Sequence, residues 1–180
     1  MDEVEKQEQI RTLEELSGMF DEEYRFKSAD ICKIHKVWLG NIYEWAGKYR
    51  QVNVSKGDFH FAAAAQVPKL MAEFEKENLR KYTPCHFNSL EKIIEALAIV
   101  HTELVIIHPF REGNGRVARM LSILMALQAG LPPLDFSGIA EKKKKEYIFA
   151  VQEGMSHNYE PMEKIFRSVI RRTLRTRELK

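Results

Sequence analysis

Residues 108–119, "HPFREGNGRVAR", place one imidazole, one carboxylate, two glycines, an asparagine and three arginines within a dozen positions. The apolar run "LVII" (104–107) leads into them and "MLSILMAL" (120–127) follows. Two core-like segments around so polar a stretch read as helix, loop and helix, with the polar residues at the start of the second helix. A helix start preceded by small residues presents free N–H groups and the positive end of the dipole, which suits an anion. Gly113 and Gly115 permit a sharp turn and the close approach of a phosphate, and Asn114 adds an amide between them. Arg116 and Arg119, three apart, share a helical face and can fork onto phosphate oxygens. Glu112 would repel the same phosphates unless a magnesium ion joined them. His108 supplies a base near neutral pH. Taken alone, a "GNG" is most often a tight turn and helix arginines are most often solvated. The full spacing is far more specific, and it differs from both GxxxxGK[ST] and GxGxxG. Its chemistry is that of a magnesium-bound nucleotide and a base: phosphoryl or nucleotidyl transfer.

Composition narrows the setting. The chain has 180 residues, 44% apolar and 30% charged, which suits one domain with a real core and argues against disorder. Lys+Arg 28 against Asp+Glu 26 leaves a net charge of +2, so bulk charge selects neither nucleic acid nor membrane. The first thirty residues are acidic, whereas the end, "RSVIRRTLRTRELK" (167–180), is basic. Cys32 and Cys85 form no CxxC pair, which fits a reducing compartment. The acidic start is unlike a signal peptide, and no apolar run reaches the roughly 18–20 residues that span a bilayer. A cytoplasmic location is expected, with no membrane and no nucleic-acid partner.

Mainly α-helical structure is expected. Residues 4–20 read as an exposed helix ending at Ser17–Gly18, and 28–45 as a second with Ile31, Ile34, Trp38, Ile42 and Trp45 at helical spacing. Alternation and a Lys-Gly-Asp turn within 47–62 predict a short hairpin. Further helices are expected over 65–82, from Ser89 to the motif, from "GNGR" to about Ala129, over "AEKKKKEYIFAVQEG" (140–154), and from Pro161. The last carries Met162, Ile165, Phe166, Val169, Ile170 and Leu174 on one stripe.

The motif matches, without gaps, the HxFx[D/E]GNGRxxR signature, and the chain is on that ground identified as resembling the Fic domain family. "IYEWAGKYRQVNVSKGDFHFA" (42–62), "LPPLDFS" (131–137), "EYIFAV" (146–151) and "NYEPMEKIF" (158–166) resemble Fic segments in the same order, so the likeness covers about Ile31 to Phe166. It implies a Fic-type helical bundle with one short β-hairpin, the flap, beside the active site. The division expected is an N-terminal helical extension (1–30), a Fic core (31–167) and the basic end of the last helix (168–180). The activity implied is transfer of AMP from ATP to a Ser, Thr or Tyr hydroxyl of a target protein. His108 would be the base, Glu112 the Mg²⁺ ligand, and the amides of Gly113–Gly115 with Asn114 the anion hole. Arg116 would hold the β-phosphate region, Arg119 the γ-phosphate, and Phe110 the loop. The flap, Lys56, Gly57, Asp58, Phe59, His60 and Phe61, would clamp the target by strand addition. Lys56 and Gly57 would also adjoin the nucleotide, and Tyr147 the adenine pocket. Relatives that phosphorylate carry Lys in place of the second glycine, so Gly115 and Arg116 favour AMP transfer.

Many Fic proteins carry an inhibitory [S/T]xxxE[G/N] helix whose Glu pairs with the second motif arginine, here Arg119. "TLEELSG" has Leu16 where the Glu belongs, and Ser156 with Glu160 is followed by Pro161. Inhibition is therefore expected from a separate antitoxin-like protein. A catalytically silent nucleotide-binding module, or use of another nucleotide donor, are the alternatives. Among the other polar residues, His101 reads as a hydrogen-bonded core residue, Arg111 as solvated, and His35, His60, His86 and His157 as no metal set.

Overall fold

The computed structural model describes residues 3–57, 59–139 and 144–178. Its centre is set by the two segments that flank the motif. Helix α5 (Leu90–Ile107) buries residues on every side, from Ile93 and Ile94 through Leu97 and Val100 to Val105 and Ile107. Such a helix is stable only when neighbours surround it. It packs on α6 (Asn114–Gln128), α7 (Lys144–Gly154), α8 (Glu160–Glu178) and α3 (Val67–Phe74), with α1 (Glu3–Met19) and α2 (Ser28–Leu39) laid over the far side of α6. The architecture is thus mainly α, as the sequence implied. Its one sheet among the described residues is a hairpin of β1 (Ser55–Lys56) and β2 (Phe59–His60), antiparallel, pairing Ser55 with His60 and Lys56 with Phe59.

Local chemistry accounts for most boundaries. The Ser89 hydroxyl caps α5 by accepting from the Lys92 N–H at 3.3 Å. The start of α2 is capped from another helix: the Glu75 carboxylate accepts from the Ser28 N–H at 2.9 Å and from its hydroxyl at 2.8 Å. Gly130, with φ +74°, follows the last turn of α6.

Four expectations are corrected. Helix α2 stops at Leu39, six residues before Trp45, because the chain turns from Gly40 and reaches Gly47 with φ +78°. The expected 65–82 helix is interrupted: α3 passes through a π-turn (Glu75–Leu79) into α4 (Arg80–Tyr82). Helix α1 is not an exposed arm, since Thr12, Leu16 and Phe20 are buried with the core of α2 and α6, and Gly18 lies within it. Leu174 is 40% exposed, off the face that packs on the 135–139 segment; Thr173 is buried there instead and accepts from the Asp135 N–H at 2.9 Å.

Helix α7 lies tightly on α5 through a glycine: a Cβ at Gly154 would stand 2.2 Å from the Thr102 methyl carbon. Gly154→Ala should therefore lower stability by about 1–3 kcal/mol, read from chemical denaturation, by prising α7 away from α5. An unchanged midpoint would show that the contact relaxes freely.

Candidate active site

The loop between α5 and α6 is shaped by its own residues. The Asn114 side chain accepts from the Phe110 N–H and donates to the Phe110 carbonyl, both at 2.8 Å, so it staples the loop across four residues. That amide was expected to face an anion; it is buried and committed to the loop, and Asn114 meets the cleft through its backbone. Phe110 is fully buried and stacks on His35, with centroids 3.9 Å apart and planes at 9°. Phe110 is thus the inward anchor that the resemblance implied.

His35 is the first residue the sequence reading missed. It accepts from the Gly47 N–H through Nδ1 at 2.8 Å, so its proton sits on Nε2, 3.2 Å from the Glu112 carbonyl. Burial pushes its pKa down to about 4. It supports the motif from beneath as a neutral ring. Gly113 has φ +80°, and a Cβ there would stand 2.7 Å from the Trp38 ring, so the position requires glycine twice over. Gly115 differs: a Cβ would meet nothing nearer than the Tyr147 hydroxyl at 4.0 Å. It leaves open cleft rather than avoiding a clash.

From Gly113 onward the helix offers its N-terminus. The Arg116 and Val117 N–H groups already donate to the Gly113 carbonyl, at 3.0 and 2.9 Å. Those of Asn114 and Gly115 have no acceptor among the described residues, and they open on a cleft of about 630 Å³. His108, Glu112, Arg116, Arg119, Lys56 and Tyr147 line the same cleft. Arg116 lies over the Trp38 ring, 4.7 Å from its centroid. Arg119 is half-buried, and among the described residues no carboxylate or carbonyl accepts from it. Burial lowers its pKa, and the neighbouring Arg116 lowers it further.

His108 ends α5 in the left-handed region, with φ +52°, a conformation costing a non-glycine residue about 1–2 kcal/mol. The twist turns its ring back on its own helix, where Nδ1 donates to the Val105 carbonyl at 3.1 Å. The proton is thereby placed on Nδ1 and Nε2 is left as the acceptor. Phe61 stacks on the ring at 3.7 Å. Burial is the chief reason its pKa falls to about 4; the Val105 bond opposes that, Arg50 and Lys56 assist it, and Glu112 opposes it. Glu112 itself is exposed, accepting from the Gly113 N–H at 3.2 Å, with Arg116 at 3.9 Å.

The hairpin residues divide between faces. Lys56, Phe59 and Phe61 line a second, more apolar cavity of about 410 Å³ that adjoins His108, Gly115 and Tyr147, whereas His60 is exposed on the far side. Gly57 sits in the turn with φ +60° and lines neither cavity. Asp58 lies outside the described residues. Tyr147 is tied to the core by a directional chain. Its hydroxyl is 2.8 Å from His101 Nε2, His101 Nδ1 is 3.1 Å from the Ser122 oxygen, and Ser122 donates to the Ala118 carbonyl at 2.8 Å. His101 is therefore the hydrogen-bonded core residue expected, and burial brings its pKa to about 3. Arg111 is exposed, as expected, with its guanidinium 5.8 Å from the Trp45 centroid. No group of three or more metal-ligating side chains occurs among the described residues.

A profile of the Fic/DOC family matches residues 25–126, over half the chain. The chain belongs to the Fic/DOC family. It is 32% identical over 144 residues to the "Probable protein adenylyltransferase Fic" of Salmonella typhimurium, covering 78% of this chain and 68% of that protein. It is 33% identical over 117 residues to "Protein adenylyltransferase VbhT" of Bartonella schoenbuchensis, covering 64% of this chain but only 23% of that one. Among solved structures, the Fic fold here is similar to BepC of Bartonella tribocorum, described with bound AMPPNP: TM-score 0.72, 25% identity, 92% of this chain and 83% of that chain. The match to the family begins after α1, which nevertheless shares the core of this Fic domain.

An unfolded histidine takes a proton near pH 6.5 that folded His35 and His101 refuse until about pH 4 and about pH 3. Stability fully present above about pH 6.5 is thus lost as the pH falls toward those values. His101→Gln, uncharged throughout and able to bond on both sides, should show a shallower fall in Tm between pH 6.5 and 4 than the parent. Parallel curves would remove His101 from the account.

Proposed function

We propose that this chain is a protein adenylyltransferase, moving AMP from ATP to a Ser, Thr or Tyr hydroxyl of a target protein. The observation that carries the reading is the meeting of a neutral base, a free helix N-terminus and an unmatched arginine in one cleft. The named adenylyltransferase relatives and the nucleotide-bound neighbour support it. The target oxygen attacks the α-phosphorus, His108 Nε2 takes its proton, and the bond to the bridging oxygen breaks with its electrons leaving on pyrophosphate. Asn114 and Gly115 donate backbone N–H groups to phosphate oxygens, Arg116 holds the β-phosphate region, and Arg119 the γ-phosphate. Tyr147 borders the nucleoside, and the edge of the hairpin takes the target backbone as an added strand.

A magnesium ion fits this donor set. Glu112 offers one exposed carboxylate beside the anion cradle, and Mg²⁺ is commonly held by one carboxylate together with substrate phosphates and water. When bound, it offsets charge on the phosphates. A separate inhibitor that supplies a carboxylate to Arg119 would regulate the site. In support, Leu16 is fully buried where the N-terminal brake would need its Glu, while Glu160 is exposed and paired with Lys164 at 2.8 Å. No helix among the described residues is long and apolar enough to cross a membrane, and a cytoplasmic location belongs to the same proposal.

With labelled ATP, Mg²⁺ and a lysate, the wild-type chain should label a protein or itself, and His108→Ala should lose about 10²–10⁴-fold in rate while still binding ATP. Absence of labelling by the wild type, with no inhibitor present, would sink the reading. Arg119→Ala should instead weaken ATP binding, by roughly tenfold or more, through loss of a charge-assisted bond.

A further inference from the structure

Arg50 is 1% exposed, the second residue the motif did not reveal. Its guanidinium donates from Nε to the His108 carbonyl at 2.7 Å, from one terminal nitrogen to the Val52 carbonyl at 2.9 Å, and from the other to the Ala62 carbonyl. Its own N–H donates to the Pro109 carbonyl at 2.9 Å. Among the described residues no carboxylate pairs with it, and its pKa is lowered by burial alone. Val52 precedes β1 and Ala62 follows β2, so one side chain holds both flanks of the hairpin and the backbone of His108.

A buried cation without a counter-charge is costly, and an apolar side chain of similar size would fill the space at less expense. What an apolar side chain cannot do is fix three carbonyls from separate segments in one planar fork. The hairpin needs such a fixture. Two-residue strands have little packing of their own: Ser55, Lys56 and His60 are exposed, and Phe59 and Phe61 only half-buried. His108 needs it too, because its ring direction depends on a left-handed φ of +52°.

We propose that Arg50 is a positioning residue of the transfer reaction, setting the distance between a target strand docked on the hairpin and the His108 nitrogen that takes its proton. This rests on the adenylyltransferase reading above. Arg50 touches no nucleotide-facing group of α6, so its loss should separate chemistry from ATP binding. A small error in placing the hydroxyl can cost roughly a hundredfold in rate.

The test uses the full chain, with labelled ATP and a lysate for transfer rates and AMPPNP titration for affinity. Wild type and His108→Ala are run alongside: an active wild type and an inactive alanine variant secure the underlying reading independently of Arg50. Arg50→Gln should lose roughly a hundredfold in transfer rate, with AMPPNP Kd within about threefold of wild type. Arg50→Lys keeps the charge and can reach one carbonyl but not three; it should remain folded and still lose roughly tenfold or more in rate at unchanged Kd. Should Arg50→Gln melt below the assay temperature, Arg50→Lys decides by itself. Wild-type transfer by Arg50→Lys would overturn the proposal. So would a parallel loss of transfer, AMPPNP affinity and Tm, which is what a residue serving only the fold produces.

Discussion

Everything in the site hangs from the two hydrogen bonds by which the Asn114 side chain closes the loop over Phe110. They let α5 end and α6 begin within a few residues while Phe110 stays in the core. With that loop closed, His108 emerges from one helix and the free amides of Asn114 and Gly115 from the next, on the same cleft. Both helices are buried on nearly all sides, so neither can shift without disturbing the bundle. The donors of the cleft are therefore held in fixed positions.

Around this staple the structure adds neutral histidines as struts. His35 bridges the Gly47 amide and the Glu112 carbonyl; His101 bridges Tyr147 and Ser122. Each is kept uncharged by burial, which spares the cleft two positive charges besides its arginines. Among the cationic side chains that do line it are Arg116, Arg119 and Lys56. Arg50 is the exception, a buried cation satisfied by carbonyl dipoles alone among the described residues, and it lies where the short hairpin meets the His108 backbone.

The motif was legible because its spacing joins two periodicities: a buried helix, then a glycine-rich start to another. His108, Glu112, Gly113, Gly115, Arg116 and Arg119 can all be named from that stretch. Arg50 and His35 could not, since each acts through carbonyls or amides far along the chain, and a lone Arg or His carries no spacing signal. The one available hint was the resemblance of the whole 42–62 segment to a family pattern. The misread end of α2 has a related origin: apolar spacing continues through Ile42 and Trp45, which are half-buried in a chain that has already turned at Gly40.

By itself the sequence determined the class of fold, the family and the chemical inventory of the cleft, because those depend on residue types at short, fixed separations. Only the tertiary structure decided which nitrogen of His108 is free, that Asn114 spends its side chain on the loop, and that no carboxylate or carbonyl accepts from Arg119 among the described residues. Those outcomes depend on which carbonyl or carboxylate lies within about 3 Å of a given atom, and that is set by how the helices pack.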